Sequence, residues 1–171
     1  MLLDREQWRE VFRGFRKSAF RLETRQVYTM PGEREDFERF LAGLPALPDD
    51  NREWHDRVRG YVAAGKTIQR VKIVRRPLTD YTRYLLAGCI PGNVEAGEDY
   101  RIIEAGERDI GLPEQDFWMF DERVVVHLDY EPDGTQHSRE LMEDPDLPRY
   151  LHWRELALEQ GVRFDEWHAG S

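Results

Sequence analysis

Trp8, Val11, Phe12 and Phe15 recur at the spacing of one helical face, and Asp4 followed by Gln7 is a capping-box signature, so the pattern predicts a helix from about Arg5 to Lys17. From Ala19 to Tyr28 the period changes to two. Phe20, Leu22 and Tyr28 fall on one side and Arg21, Glu23 and Arg25 on the other, the alternation of a half-buried strand. Pro31-Gly32 closes it, and Phe37, Phe40, Leu41 and Leu44 then keep helical spacing up to Gly43. Asp50 with Glu53 opens a further helix, whose Trp54, Val58, Tyr61 and Val62 share a face as far as Gly65.

Ile68 to Arg76 is β-branched and basic, with Val71 and Ile73 on one face and Arg70, Lys72 and Arg76 on the other beside Val74. Pro77 stops this strand, and Thr79 or Asp80 caps a helix carrying Tyr81, Tyr84, Leu85 and Cys89 before Pro91-Gly92. Tyr100 to Glu104 is a short strand. Phe117 to Phe120 and Val124 to Tyr130 form a hairpin turning at Asp121-Glu122, and Asp133-Gly134 marks the end of the sheet. A last helix, about Leu147 to Gln160, ends at Gly161. This order lacks regular βα alternation and predicts a single α+β domain over residues 1–161, with a mixed, partly antiparallel sheet, flanking helices and a C-terminal tail over 162–171. Trp54, Trp118 and Trp153 each share a face with other apolar residues and are expected in the core.

The 171 residues, 40% hydrophobic and 12% aromatic, suffice for one core and exclude a disordered chain. The N-terminus becomes charged at once, and no stretch approaches the ~20 apolar residues of a membrane span, so a cytoplasmic protein without membrane contact is expected. Cys89, the sole cysteine, allows no intrachain disulfide and reads as a small buried residue at a helix end. The net charge of −9 is uneven: residues 1–90 hold 18 Arg or Lys against 13 Asp or Glu, whereas residues 91–171 hold 7 against 21. Such a chain offers a basic face to anions if its halves stay apart, or neutralises itself locally if they interleave. Its acidic total disfavours direct binding to duplex DNA.

Glycine-rich phosphate loops, nucleophile elbows, HExxH and HxK are all missing from the sequence. His127, Asp129 and Glu131 alternate along one strand face and have the spacing to hold a divalent metal, but a solvated face is the preferred account and no metal site is assigned; the same holds for His152, Glu155 and Glu159 on the polar face of the last helix. Asp116 and Asp121, five apart, project to opposite faces of their strand and make no catalytic dyad. The strongest candidate is the segment from Arg70 to Tyr84. There Arg70, Lys72 and Arg76 precede a helix start bearing Tyr81, Arg83 and Tyr84, so guanidinium forks, free backbone N–H groups and phenols gather into an anion-recognition edge. Structural ion pairs with Glu23, Glu98, Asp116 or Asp121 are the alternative for these cations.

Phe20-Arg21-Leu22-Glu23, the run from Pro77 to Tyr84, Gly97-Glu98 and the run from Asp116 to Asp121 resemble a family of stand-alone actinobacterial proteins known only as a domain of unknown function. The resemblance covers about Trp8 to Tyr130. It implies a bacterial protein encoded near Xre-type helix-turn-helix regulators, and it brings no activity, cofactor or catalytic residue. The expectation is therefore a non-enzymatic accessory or regulatory protein, without a cofactor, that binds a partner protein or a small anionic ligand. The partner would be a helix-turn-helix regulator, another small protein, or a second copy in a homodimer. The alternative is a metal-independent, toxin-type nuclease or transferase acting on a phosphate-containing substrate, with Arg70, Arg75, Arg83, Tyr81 and Tyr84 around the phosphate and Glu98 moving a proton.

Overall fold

The computed structural model describes residues 1–48 and 51–167; the expected helix cap Asp50 lies outside them. Helix α1 (Arg5–Gly14) begins at the capping box, where the Gln7 amide donates to Asp4 Oδ1 at 2.8 Å and the Asp4 amide donates to Gln7 Oε1 at 2.9 Å. Strand β1 (Ser18–Glu23) follows, then a 3₁₀ turn (Pro31–Glu33), α2 (Arg34–Leu41), α3 (Arg52–Ala63) and β2 (Thr67–Val74). Next come α4 (Asp80–Tyr84), capped by the Thr79 hydroxyl, a π-helical turn (Leu85–Cys89), α5 (Ile90–Ala96) and β3 (Asp99–Glu104). The C-terminal part contains β4 (Asp116–Phe120), β5 (Val124–Tyr130), β6 (Gln136–Leu141), α6 (Leu147–Gln160) and β7 (Val162–Arg163).

The seven strands form one mixed sheet in the order β6-β5-β4-β1-β2-β3-β7, and the chain is an α+β domain. β1, β2 and β3 are parallel, whereas β4, β5, β6 and β7 run antiparallel to their neighbours. Several local expectations change: β1 ends at Glu23 and does not run on to Tyr28. Asp133-Gly134 does not end the sheet but turns the chain into β6, which is too polar to announce itself by apolar alternation. At this turn Gly134 has φ 91°, and a Cβ would lie 2.8 Å from the Val27 carbonyl oxygen, so only glycine fits. Pro91 does not stop the preceding helix, because it stands in the first turn of α5, where the π-helical turn has already altered the hydrogen-bond ladder. Finally, the segment after Gly161, expected to be a tail, pairs Val162 and Arg163 with Ile102 and Arg101 as an edge strand.

The crossovers from β1 to β2 and from β2 to β3 step in the same direction, which with a common hand puts α2 through α5 on one face of the sheet. α1 packs there too, through Phe12 and Phe15 against Ala19, Ile68, Trp118 and Phe120. α6 covers the opposite face, where Tyr150 and Ala157 pack on Phe20, Leu22, Val71, Ile73 and Phe117. Both faces of the central strands are therefore buried. β1 is not the half-solvated strand its alternation suggests: Arg21 and Glu23 are buried along with Phe20 and Leu22. Trp118 is buried, while Trp54 and Trp153 are partly so. No helix among the described residues is long and apolar enough to cross a membrane.

Candidate functional site

On the face under α1 to α5, the register aligns Trp118, Arg21, Arg70 and Tyr100 across β4, β1, β2 and β3. In the next row Glu23 stands opposite Lys72, with Asp116 towards β4. Charges inside a protein persist only when paired and hydrogen-bonded, and these are. Arg21 Nη2 donates to Asp116 Oδ2 at 2.8 Å and to the Tyr130 hydroxyl at 3.1 Å. Arg70 donates to Glu23 at 2.6 Å and to Glu98 at 2.7 Å. Lys72, 0% exposed, reaches Glu23 at 3.5 Å and the Arg25 carbonyl at 3.4 Å, and its ammonium lies 5.0 Å from the centre of the Tyr28 ring. Asp116 also accepts from the Tyr28 hydroxyl at 2.7 Å, the Thr24 amide at 2.9 Å and the Thr24 hydroxyl at 2.6 Å.

Burial works against the charge on Glu23, yet Lys72, Arg70 and Arg21 together hold its carboxyl down at about 2. Burial likewise opposes ionised Arg21, but the Tyr130 phenol and the carboxylates of Asp116 and Glu23 raise its pKa well above the ordinary arginine value. For Lys72 burial prevails and lowers the pKa, with Glu23 restoring only part of it. Burial, reinforced by Asp116, pushes the Tyr28 phenol up, and burial with Glu33 does the same for Tyr81.

Above this floor is a cavity of about 620 Å³. Its walls are largely aromatic: Trp8 and Phe12 from α1, Trp54 from α3, Trp118 and Tyr100 from the sheet, and Tyr28, Tyr81 and Tyr130 around them. Five arginines (Arg21, Arg52, Arg57, Arg70 and Arg139) and three glutamates (Glu23, Glu33 and Glu53) line it, and Arg21, Arg70 and Arg52 also have Asp116, Glu98 and Asp56 as counter-ions. Arg57 lies 4.8 Å over the Phe12 ring and 5.3 Å over Trp54, and it donates to the Tyr61 hydroxyl at 3.1 Å. Arg139 lies 5.5 Å over Trp8. Burial lowers its pKa, Tyr130 working against this and Arg5 with it. Neither Arg57 nor Arg139 forms an ion pair with a carboxylate among the described residues. On the α5 side, buried Asn93 accepts from His55 Nε2 at 2.9 Å and from Asn51 at 3.4 Å.

A family model described as a domain of unknown function (DUF6879) matches residues 6–169. The chain belongs to this family. Every residue of the cavity wall falls inside the matched DUF6879 span, from Trp8 to Arg139. No curated protein matches the chain.

Within this DUF6879 domain the residues of the expected anion edge are distributed over three environments. Arg70 and Tyr81 line the cavity, Tyr81 donating to Glu33 at 2.9 Å. Lys72 lies beneath it. Arg76 follows the end of β2 at Val74, so the strand alternation no longer directs it inward; it is exposed and bonds Glu104 at 2.7 Å. Arg83 is exposed beside Asp80 at 3.1 Å, and the buried Tyr84 hydroxyl donates to Asp36 at 3.1 Å. Cys89 is half-buried within the π-helical turn and lines the cavity rather than ending a helix.

The other constellations have local partners. His127 meets the Tyr150 hydroxyl, Asp129 accepts from Gln115 and Ser138, and Glu131 pairs with His137. His152, Glu155 and Glu159 lie on the exposed side of α6. Among the described residues no group of His, Cys, Asp and Glu could hold a metal ion. Asp121, in the hairpin turn, accepts from the amides of Arg16, Lys17 and Ser18 at 2.8, 2.6 and 3.1 Å. The sequence placed Trp8 on an apolar helix face and Arg21 on a solvent face, and it assigned no site role to Arg57, Asn93 or Arg139. The available signal was the excess of amphipathic helices: α1, α2 and α3 each need an apolar partner, and among the described residues α6 is the one helix on the other face.

Proposed function

We propose that this is a cytoplasmic, non-enzymatic accessory protein that binds a small anionic ligand in the aromatic cavity. The observation that carries this reading is the pair Arg57 and Arg139: two guanidinium groups on the cavity wall, laid on aromatic faces, with no acidic partner among the described residues. Stacked guanidinium retains its charge and fork geometry for a carboxylate or phosphate. The floor adds to it, since Arg21 and Arg70 are held in fixed orientations by Asp116, Glu23 and Glu98.

Binding is favoured over turnover by the state of the acids. A general base works best with a pKa near the operating pH, and Glu23 is held at about 2. Asp116 already accepts from Arg21, Tyr28 and Thr24. The toxin-type alternative requires Arg70, Arg75, Arg83, Tyr81 and Tyr84 around one phosphate, and Arg75 and Arg83 are exposed away from the cavity that Arg70 and Tyr81 line. A partner protein, such as the helix-turn-helix regulator implied by the resemblance, would then read the ligand-bound state.

A thermal-shift screen of phosphate, sulfate, benzoate and nucleotides tests the reading. At least one anion should stabilise the wild type, and Arg57→Gln or Arg139→Gln should weaken its binding by about 10- to 100-fold, the loss of one charge-assisted contact. If no anion stabilises the wild type, or both variants respond as it does, the reading fails.

A further inference from the structure

The cavity is not uniform along its length. Its lining runs from Arg139 on β6, across Trp118 on β4 and Arg70 on β2, to Asn93 on α5, which packs against β3 at the other side of the sheet. Towards β6 and α1 lie Arg139 and Arg57, the guanidinium groups without carboxylate partners among the described residues. The middle is walled by indole and phenol rings. On the α5 side Asn93 is 6% exposed, and its Oδ1 is committed to His55 and Asn51. Its amino group is thus left as a donor with no partner among the described residues, on a residue that lines the cavity.

Resting on the anion-binding reading, we infer that the ligand is a mononucleotide: a flat nitrogen heterocycle that stacks between the rings, presents an acceptor to the Asn93 amino group and extends its phosphate to Arg57 and Arg139. Three features select this class over a bare anion or a simple aromatic acid. Phosphate alone would leave the aromatic walls and the Asn93 donor without a function. A small aromatic acid has its charge next to its ring and does not supply a second polar edge at a distance. A volume of about 620 Å³ also lies in the range of pockets that enclose a ligand of this size. Aromatic faces with an amide reading the base edge and arginines on the phosphate are the general means of holding a single nucleotide. A nucleic-acid polymer is disfavoured, because a chain of net charge −9 repels a phosphate backbone outside the cavity.

Calorimetry with the full chain separates the parts of the ligand. AMP, GMP, CMP and UMP are compared with their nucleosides, with ribose 5-phosphate and with inorganic phosphate, on wild type, Asn93→Asp and Arg57→Gln, each checked for an unchanged far-UV spectrum. At least one mononucleotide should bind 10-fold or more tightly than both its nucleoside and ribose 5-phosphate. Asn93→Asp, which replaces the donor and adds a carboxylate, should weaken the mononucleotide 10-fold or more beyond its effect on ribose 5-phosphate, while Arg57→Gln should weaken both by similar factors. If ribose 5-phosphate or inorganic phosphate binds as tightly as every mononucleotide, or Asn93→Asp weakens the mononucleotide no more than ribose 5-phosphate, the nucleotide assignment is overturned and anion binding stands. If none of these phosphates binds, the nucleotide assignment is overturned, and the benzoate and sulfate arms of the thermal-shift screen decide whether anion binding falls with it.

Discussion

Arg21 and Arg70 are direct register partners on β1 and β2, Arg21 buried and Arg70 half-buried at the cavity floor, so two arginine side chains leave the sheet side by side. Strands lie about 4.8 Å apart, and like charges carried on neighbouring strands repel unless each has its own counter-ion. Asp116 serves Arg21, and Glu23 with Glu98 serves Arg70.

Asp116→Asn keeps the shape of the side chain but leaves Arg21 buried without its ion pair, and it should cost about 3–5 kcal/mol in urea unfolding. Arg21→Met together with Asp116→Asn should cost less than the sum of the two single changes, because no unpaired charge remains. By contrast, Asp80→Ala, which removes the exposed partner of Arg83, should cost under about 1 kcal/mol. Equal losses for Asp116→Asn and Asp80→Ala would show that the buried row is not an interdependent network.

Acid unfolding should report Glu23. Its carboxyl is held at about 2 in the folded protein against an ordinary value of 4.5. A depressed carboxylate contributes fully above its unfolded value and loses that contribution as pH falls towards the folded one. About 3 kcal/mol of stability should therefore disappear between pH 4.5 and pH 2. Glu23→Gln should flatten the curve in this window, and a variant with an unchanged slope would contradict the assignment.

The hairpin between β4 and β5 turns at Asp121 and Glu122 with φ of 52° and 58°, a region that side chains other than glycine and asparagine rarely adopt. The Asp121 carboxylate offsets this by accepting three amides at the end of α1; burial opposes its charge, but those amides keep its pKa low. Asp121→Ala should cost about 2–3 kcal/mol and Asp121→Asn distinctly less, since the amide oxygen still accepts and asparagine tolerates the backbone. Thermal melts of the two variants check the order.

What could be read from the sequence divides along physical lines. α1 carries apolar residues at a clear helical period, β4 is an unbroken apolar run after Asp116 and β5 alternates, and these with α6 begin within a residue of where the pattern places them, although α1 ends at Gly14 and not Lys17. β6 reads Gln-His-Ser-Arg-Glu-Leu, with no apolar alternation to mark it, and so Arg139 could not be assigned to the sheet. Arg21 and Glu23 alternate with Phe20 and Leu22 as a solvent face would, and only the tertiary cover from α1 and α3 makes them interior. Arg57, three residues after Trp54 and four before Tyr61, borders the apolar face of α3, and the ring of Phe12, 45 positions earlier, turns it into a cavity wall. The basic strand was visible because its charges are contiguous. Their separation into floor, wall and surface depends on where β2 ends, at Val74.

The most direct measurement is quenching of the cavity tryptophans by an anion and by a cation. Trp8, Trp54 and Trp118 line the cavity, so Trp153→Phe with Trp167→Phe leaves emission from these three alone. Iodide should quench this emission more effectively than caesium at equal ionic strength, because Arg57 and Arg139 on the wall have no carboxylate partner among the described residues. Adding Arg57→Gln and Arg139→Gln should remove the preference. Equal quenching by iodide and caesium in the parent, or a preference for caesium, would contradict an anion-binding cavity.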